Sequence, residues 1–209
     1  MDSIIIEKIN YIDSLKYFSN NINILRSLND LMNKTFLDEM SVEDGEDLDR
    51  DHLYKLDMSD DDHHTMIDNI NDTMNNIIPF EGTFYIAYVH LDDDSKVVVG
   101  HVEIVLIDTL EYYNKKNTID IDPDETIYNI SGAGVRYEYR NKGICSKLLR
   151  AIINDFSAVD IHLSVFPGNL SAITCYKNIG FVEDQILEDE EDPIKYTTMI
   201  YHKKITAVP

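Results

Sequence analysis

The chain has 209 residues and a hydrophobic share of 44%, enough for one cored domain or one domain with an appendage. Its 39 acidic residues outweigh 18 basic ones, for a formal net charge of -21. That excludes a general nucleic-acid binder, which needs a basic face, and sets the chain against anionic membranes.

Two cysteines, Cys145 and Cys175, are too few for a disulfide framework or a zinc site. The opening MDSIIIEKIN carries Asp2 and a short apolar run, so it is no signal peptide. No stretch approaches the roughly 18 apolar residues of a membrane span. The expectation is a cytoplasmic, soluble protein with unbridged cysteines.

In chain order, residues 3–9 (SIIIEKI) suit a first strand. Leu15, Phe18, Ile22, Ile24, Leu25, Leu28, Leu31, Met32 and Phe36 recur at helical spacing and predict a helix over about 17–37. Residues 38–62 hold twelve acids in 25 positions, with Leu53, Leu56 and Met58 to anchor a short helix. Residues 63–78 (HHTMIDNINDTMNNII) read as a helix ended by Pro79. His63 and His64 adjoin and point apart on that helix, so no metal site is expected.

From Phe80 the period shifts to strands. TFYIAYVH (83–90) and KVVVGHVEIVLID (96–108) are rich in Val, Ile and Tyr, and LDDDS joins them as a hairpin. A polar loop at 115–125 precedes the strand TIYNISGAGV (126–135), loosened by Gly132 and Gly134. Leu148, Leu149, Ile152, Ile153 and Phe156 mark one helical face, DIHLSVF (160–166) a strand, and NLSAITCYKNIG (169–180) a short helix closed by Gly180. Residues 181–187 and 196–203 suit a last hairpin around an acidic loop. The order predicts a mixed α/β (α+β) fold: a mostly antiparallel sheet flanked by helices, with one strand–helix–strand crossover at 126–166.

The chemistry concentrates at RYEYRNKGICSKLL (136–149). Arg136, Arg140, Lys142, Lys147 and Arg150 fall within fifteen residues, with Glu138 the one acid among them. A strand, a short basic turn with a glycine, and a helix start together make an anion site, because the first N–H groups of a helix lack internal partners. Neither a dinucleotide fingerprint nor a Walker loop is present. Taken alone, the stretch reads as a phosphate site or as a plain helix start with solvated cations.

A second pattern stands downstream: Asn169-x-x-Ala172-x-x-x-Tyr176-x-x-x-Gly180-Phe181, directly after LSVF. The pair resembles the GNAT superfamily of acetyl-CoA-dependent N-acetyltransferases, whose pyrophosphate loop reads Gln/Arg-x-x-Gly-x-Gly/Ala. Here stand Arg140-Asn141-Lys142-Gly143-Ile144-Cys145, preceded by Val135 and Tyr139. Cys145 departs from the usual Gly or Ala. The resemblance covers roughly residues 80–203 and implies one domain with an acetyl-CoA core there and a variable helical part over 1–79.

The resemblance also implies a site. The strand before the loop splays from the next one, and the pantetheine arm pairs with its backbone near Val135. Arg140, Asn141, Lys142, Gly143, Ile144, Cys145 and Ser146 hold the pyrophosphate. Asn169 binds the cofactor arm. Tyr176 is the general acid that protonates the departing thiolate after direct attack by a neutral amine, with a backbone N–H facing the oxyanion. Family members often carry the base where this chain has Asn129 or Ser131, neither of which titrates near neutrality. Glu103 and His162 are candidates by residue type and strand placement alone, and each suits a structural contact as readily.

In the family, the segments matching the acidic runs 38–62 and 183–192 frame the acceptor pocket. They then favour a cationic amine such as a polyamine, a lysine or peptide amine, or an aminoglycoside. Read without the family, they are a solvated acidic surface. The expected partners are acetyl-CoA and the amine, without nucleic acid or membrane, in a monomer or homodimer. The alternative is an acyl-CoA-binding regulatory module without turnover.

Overall fold

The computed structural model describes residues 3–10, 16–32, 82–107, 127–188 and 195–203, apart from 19, 22, 25, 29 and 93. The helices expected at 53–58 and 63–78, the loop at 115–125 and the acids of 38–62 and 189–192 lie outside the described residues.

The apolar run Phe84-Tyr85-Ile86-Ala87-Tyr88-Val89 suits a strand covered on both faces, and β2 (Gly82–His90) is buried along nearly its whole length. It pairs on one side with β1 (Ile5–Asn10) and on the other with β3 (Lys96–Ile107), as the expected hairpin. β4 (Ile127–Val135) continues the antiparallel run. α1 (Ile144–Asp155) then carries the chain to β5 (Ile161–Val165), which pairs in parallel with β4. α2 (Leu170–Ile179) leads to β6 (Val182–Glu188) and β7 (Lys195–Tyr201). The seven-stranded sheet has the order β1-β2-β3-β4-β5-β7-β6. The expected fold class holds, with element ends shifted by a residue or two for most elements. α1 begins earlier than its apolar face alone marks, and Phe156 is its C-cap. No helix among the described residues is long and apolar enough to cross a membrane.

The sheet has an apolar cluster on each face. Ile144, Leu148, Leu149 and Ile152 of α1 pack with Tyr85, Ala87, Val102, Ile104, Ile130, Ile161, Leu163 and Met199. On the opposite, far face, Phe18, Ile24, Leu28 and Leu31 from helical residues between 16 and 32 pack with Ile9, Ile86, Tyr88 and Val98. Arg136 ties those helical residues to the sheet. Its guanidinium donates to Asp30 at 2.7 Å, to the Ser27 carbonyl at 3.0 Å and to the Val98 carbonyl at 2.7 Å. This arginine is therefore a structural staple.

Two details place the site. A Cβ at Gly100 would sit 2.7 Å from Ile144 Cγ2, so the start of α1 lies almost on the β3 backbone. β4 and β5 are in register only from Tyr128 to Ile130 against Ile161 to Leu163; beyond these the strands part. The Arg136 N–H bonds the Val99 carbonyl. By the alternation of an antiparallel ladder, Ala133 and Val135 turn their N–H and C=O groups away from β3, into that gap.

Candidate active site

A cavity of about 690 Å³ opens on the α1 side of the gap, within the usual range for small-molecule sites. Val135, Arg140, Asn141, Gly143, Ile144, Cys145, Ser146, Asn169 and Tyr176 all line it. The two sequence patterns, 29 residues apart from Arg140 to Asn169, thus meet on one surface. Lys142 does not line the cavity. Its ammonium lies 4.5 Å from the Tyr139 ring centroid, a cation–π contact.

The loop has the backbone of an anion cradle. Asn141 and Gly143 both sit in the left-handed region, at φ 61° and 74°. Gly143 adopts it without the Cβ penalty, and Asn is the next most tolerant residue type. Gly143 is also the N-cap of α1, where no side chain bonds the first N–H groups. Apart from its chain neighbours, no atom lies within 4 Å of where its Cβ would be, so the turn is open on that side. Arg140 Nε donates to the Val135 carbonyl at 3.1 Å, and its guanidinium carbon stands 5.4 Å from the Tyr137 ring. The turn is thereby pinned to the end of β4.

Asn169 caps α2, its side-chain oxygen accepting from Ala172 N–H at 3.2 Å. Tyr176 lies about two turns further along, buried against Phe181 with ring centroids 5.9 Å apart. Gly180 closes the helix at φ 115°, as expected for a C-cap glycine.

One expectation is corrected. Cys145 and Cys175 form a disulfide, with Cα atoms 6.7 Å apart. The second residue of α1 and the sixth of α2 face each other across the cavity wall, a proximity that a spacing of thirty residues does not reveal. Cys145 is therefore a covalent tie from the start of α1 to the middle of α2.

Neither base candidate lines the cavity. Glu103 is in register with Phe84 and Gly132, on the far face of the sheet, and its carboxylate accepts from Ser131 Oγ at 2.7 Å. Burial raises its pKa above the ordinary glutamate value, and the Ser131 hydrogen bond opposes the rise in part. Ser131 is the extra residue of a β-bulge, which turns its hydroxyl toward Glu103. His162 pairs in register with Asn129, also on the far face. His101 was not picked out by sequence reasoning, yet it lines the cavity from the far face. Of the acidic run 183–192, Glu183 pairs with Lys177 at 2.8 Å, so part of that charge is engaged locally.

The family model described as the acetyltransferase (GNAT) family matches residues 35–181, and the chain belongs to that family. It is an acetyltransferase by family, and the family's acyl donor is acetyl-CoA. No curated protein matches the chain. Among solved structures, it is similar to a histone acetyltransferase HPA2 and related acetyltransferase from Corynebacterium glutamicum, at 15% identity and TM-score 0.55, covering 100% of both chains. It is similar to a GNAT-family acetyltransferase from Streptococcus agalactiae, at 10% identity and TM-score 0.55, covering 96% of each chain. It is also similar to Arabidopsis thaliana NAA60 in complex with acetyl-CoA, at 15% identity and TM-score 0.53, covering 96% of this chain and 98% of that one. At these identities the likeness is one of fold.

Proposed function

We propose that the chain is an N-acetyltransferase that moves an acetyl group from acetyl-CoA to a primary amine of a cationic acceptor. The observation that carries this reading is the meeting of the uncapped Gly143 loop, Asn169 and Tyr176 on one cavity beside the β4–β5 gap. Acetyl-CoA supplies the acyl group as an activated thioester. The N–H groups from Asn141 to Ser146 hold its pyrophosphate, with Arg140 and Lys142 adding positive charge. Ala133 and Val135 offer backbone groups to the pantetheine arm, and Asn169 orients it. Tyr176 Oη gives a proton to the leaving sulfur.

Glu103 removes the proton of the acceptor amine from the far face. A carboxylate with its pKa pushed up by burial suits that task better than an ordinary one. The charge of -21 favours a cationic acceptor and repels CoA phosphates, so the local cations and the α1 start must offset it.

The test is CoA thiol release with acetyl-CoA against polyamines, lysine and N-terminal peptides, amino acids and aminoglycosides. A cationic amine should give turnover. Tyr176→Phe should lower kcat by roughly 10²- to 10³-fold with acetyl-CoA binding retained. The acid limb of the rate–pH profile should lie above the ordinary glutamate range and vanish in Glu103→Gln. Tight acetyl-CoA binding without release across the whole panel would support an acyl-CoA-binding module instead.

A further inference from the structure

Among the described residues, His101 is the ionisable residue of the far face that also lines the cavity. It stands on β3, in register with Ile86 and Gly134, and is only 4% exposed. Its ring leans over Gly132, where a Cβ would come 3.7 Å from Cε1. Gly132 is not one of the positive-φ glycines, and a Cβ there would make only ordinary contact with the ring. Past Gly132 lies the gap into which Ala133 turns its backbone groups.

The ring is incompletely bonded. Nδ1 is buried and has no hydrogen-bond partner among the described residues, an uncommon state for a buried polar atom. A bare lone pair is more easily tolerated there than a bare N–H. The proton therefore belongs on Nε2, the nitrogen that is not shut off, and Nε2–H is a donor. Burial lowers the pKa of the ring to about 4, so at neutral pH it is uncharged and a poor proton acceptor. A neutral imidazole whose donor has no partner among the described residues is suited to a ligand oxygen.

We infer that His101 donates a hydrogen bond from Nε2 to the acetyl carbonyl oxygen of acetyl-CoA, reaching it over Gly132 from the far face of the sheet. The inference rests on the acetyl-CoA site proposed above. It adds a side-chain donor to the backbone groups at the gap, and such a donor strengthens as the oxygen gains charge during transfer. Glu103, two residues along the same strand, keeps the task of taking the amine proton.

Binding decides the question without knowledge of the acceptor. Acetyl-CoA is compared by calorimetry with S-ethyl-CoA, a thioether without the carbonyl. His101→Phe fills the ring volume without a donor and should weaken acetyl-CoA roughly three- to tenfold, leaving S-ethyl-CoA unchanged. His101→Gln, which restores an N–H, should regain part of the loss. Equal effects on both ligands, or none, would overturn the assignment and leave the cofactor site standing. Failure of the unaltered protein to bind either ligand would instead sink the cofactor site, and the assignment with it. Should the variants not fold, histidine ¹⁵N NMR of the unaltered protein gives the answer. The His101 Nε2–H signal should move with acetyl-CoA and hold still with S-ethyl-CoA, and the same movement with both refutes the contact.

Discussion

The two helices beside the cavity begin in opposite ways. α2 starts at Asn169, whose side chain bonds the Ala172 N–H and in turn accepts from Ser171 Oγ at 3.1 Å. That start is completed from within. α1 starts at Gly143, in a left-handed turn with no side chain across its first N–H groups. The orphan donors of a helix start are satisfied by a cap, by water or by a ligand. Leaving out the cap at one start and supplying it at the other leaves the first N–H groups of α1 open to a ligand and closes one of those of α2, although both face the same space.

The largest way to disturb this pair is to cut the disulfide between them. Reduction, or the double change Cys145→Ala and Cys175→Ala, should remove about 3–4 kcal/mol by the chain-entropy account of a thirty-residue loop. Thermal melts with and without reductant should then differ by roughly 10 °C, and an unchanged Tm would mean that packing alone joins the helices. The next change makes α1 resemble α2. Gly143→Asp places a capping carboxylate at the open start, and should weaken CoA by about 2 kcal/mol, roughly 30-fold in Kd by calorimetry.

The smallest changes act on Asn169 and separate its two roles. Asn169→Ala should lower stability by about 1 kcal/mol through loss of the cap. Asn169→Asp keeps the cap oxygen and loses the amide donor, so Tm should hold while CoA binds a few-fold more weakly. Unchanged CoA affinity in that variant would leave Asn169 as a cap only.

The strands and the crossover were legible because alternating β-branched and aromatic residues bounded by turn residues leave little choice of element. The loop and the Asn169–Tyr176 pattern were legible because each is local in sequence. What sequence reading missed is non-local. Arg136 looked like one of five cations gathered near a glycine, but its partner Asp30 lies 106 residues earlier, on the far side of the sheet. In sequence Cys145 is only a departure from the usual Gly or Ala, and the fold brings Cys175 against it. His101 sits in an ordinary run of strand residues. Only its burial, its unpartnered nitrogen and its position over Gly132 mark it out. The β4–β5 gap has no local signal either, since it depends on where pairing stops.

Asp155, the last residue of α1, accepts hydrogen bonds from Lys8 Nζ and Tyr85 Oη, both at 2.7 Å. Those partners belong to β1 and β2. At its other end the same helix is joined to α2 through sulfur. A twelve-residue helix is about 18 Å long, so α1 is a short beam clamped at both ends. The Lys8 and Tyr85 hydrogen bonds hold the Asp155 carboxyl below its usual pKa. That clamp persists at neutral pH and slackens only as acid protonates the carboxylate. A beam fixed in this way does not drift along its own axis. The height of the Gly143 turn above the sheet is thus set partly by an edge strand that never meets the cavity.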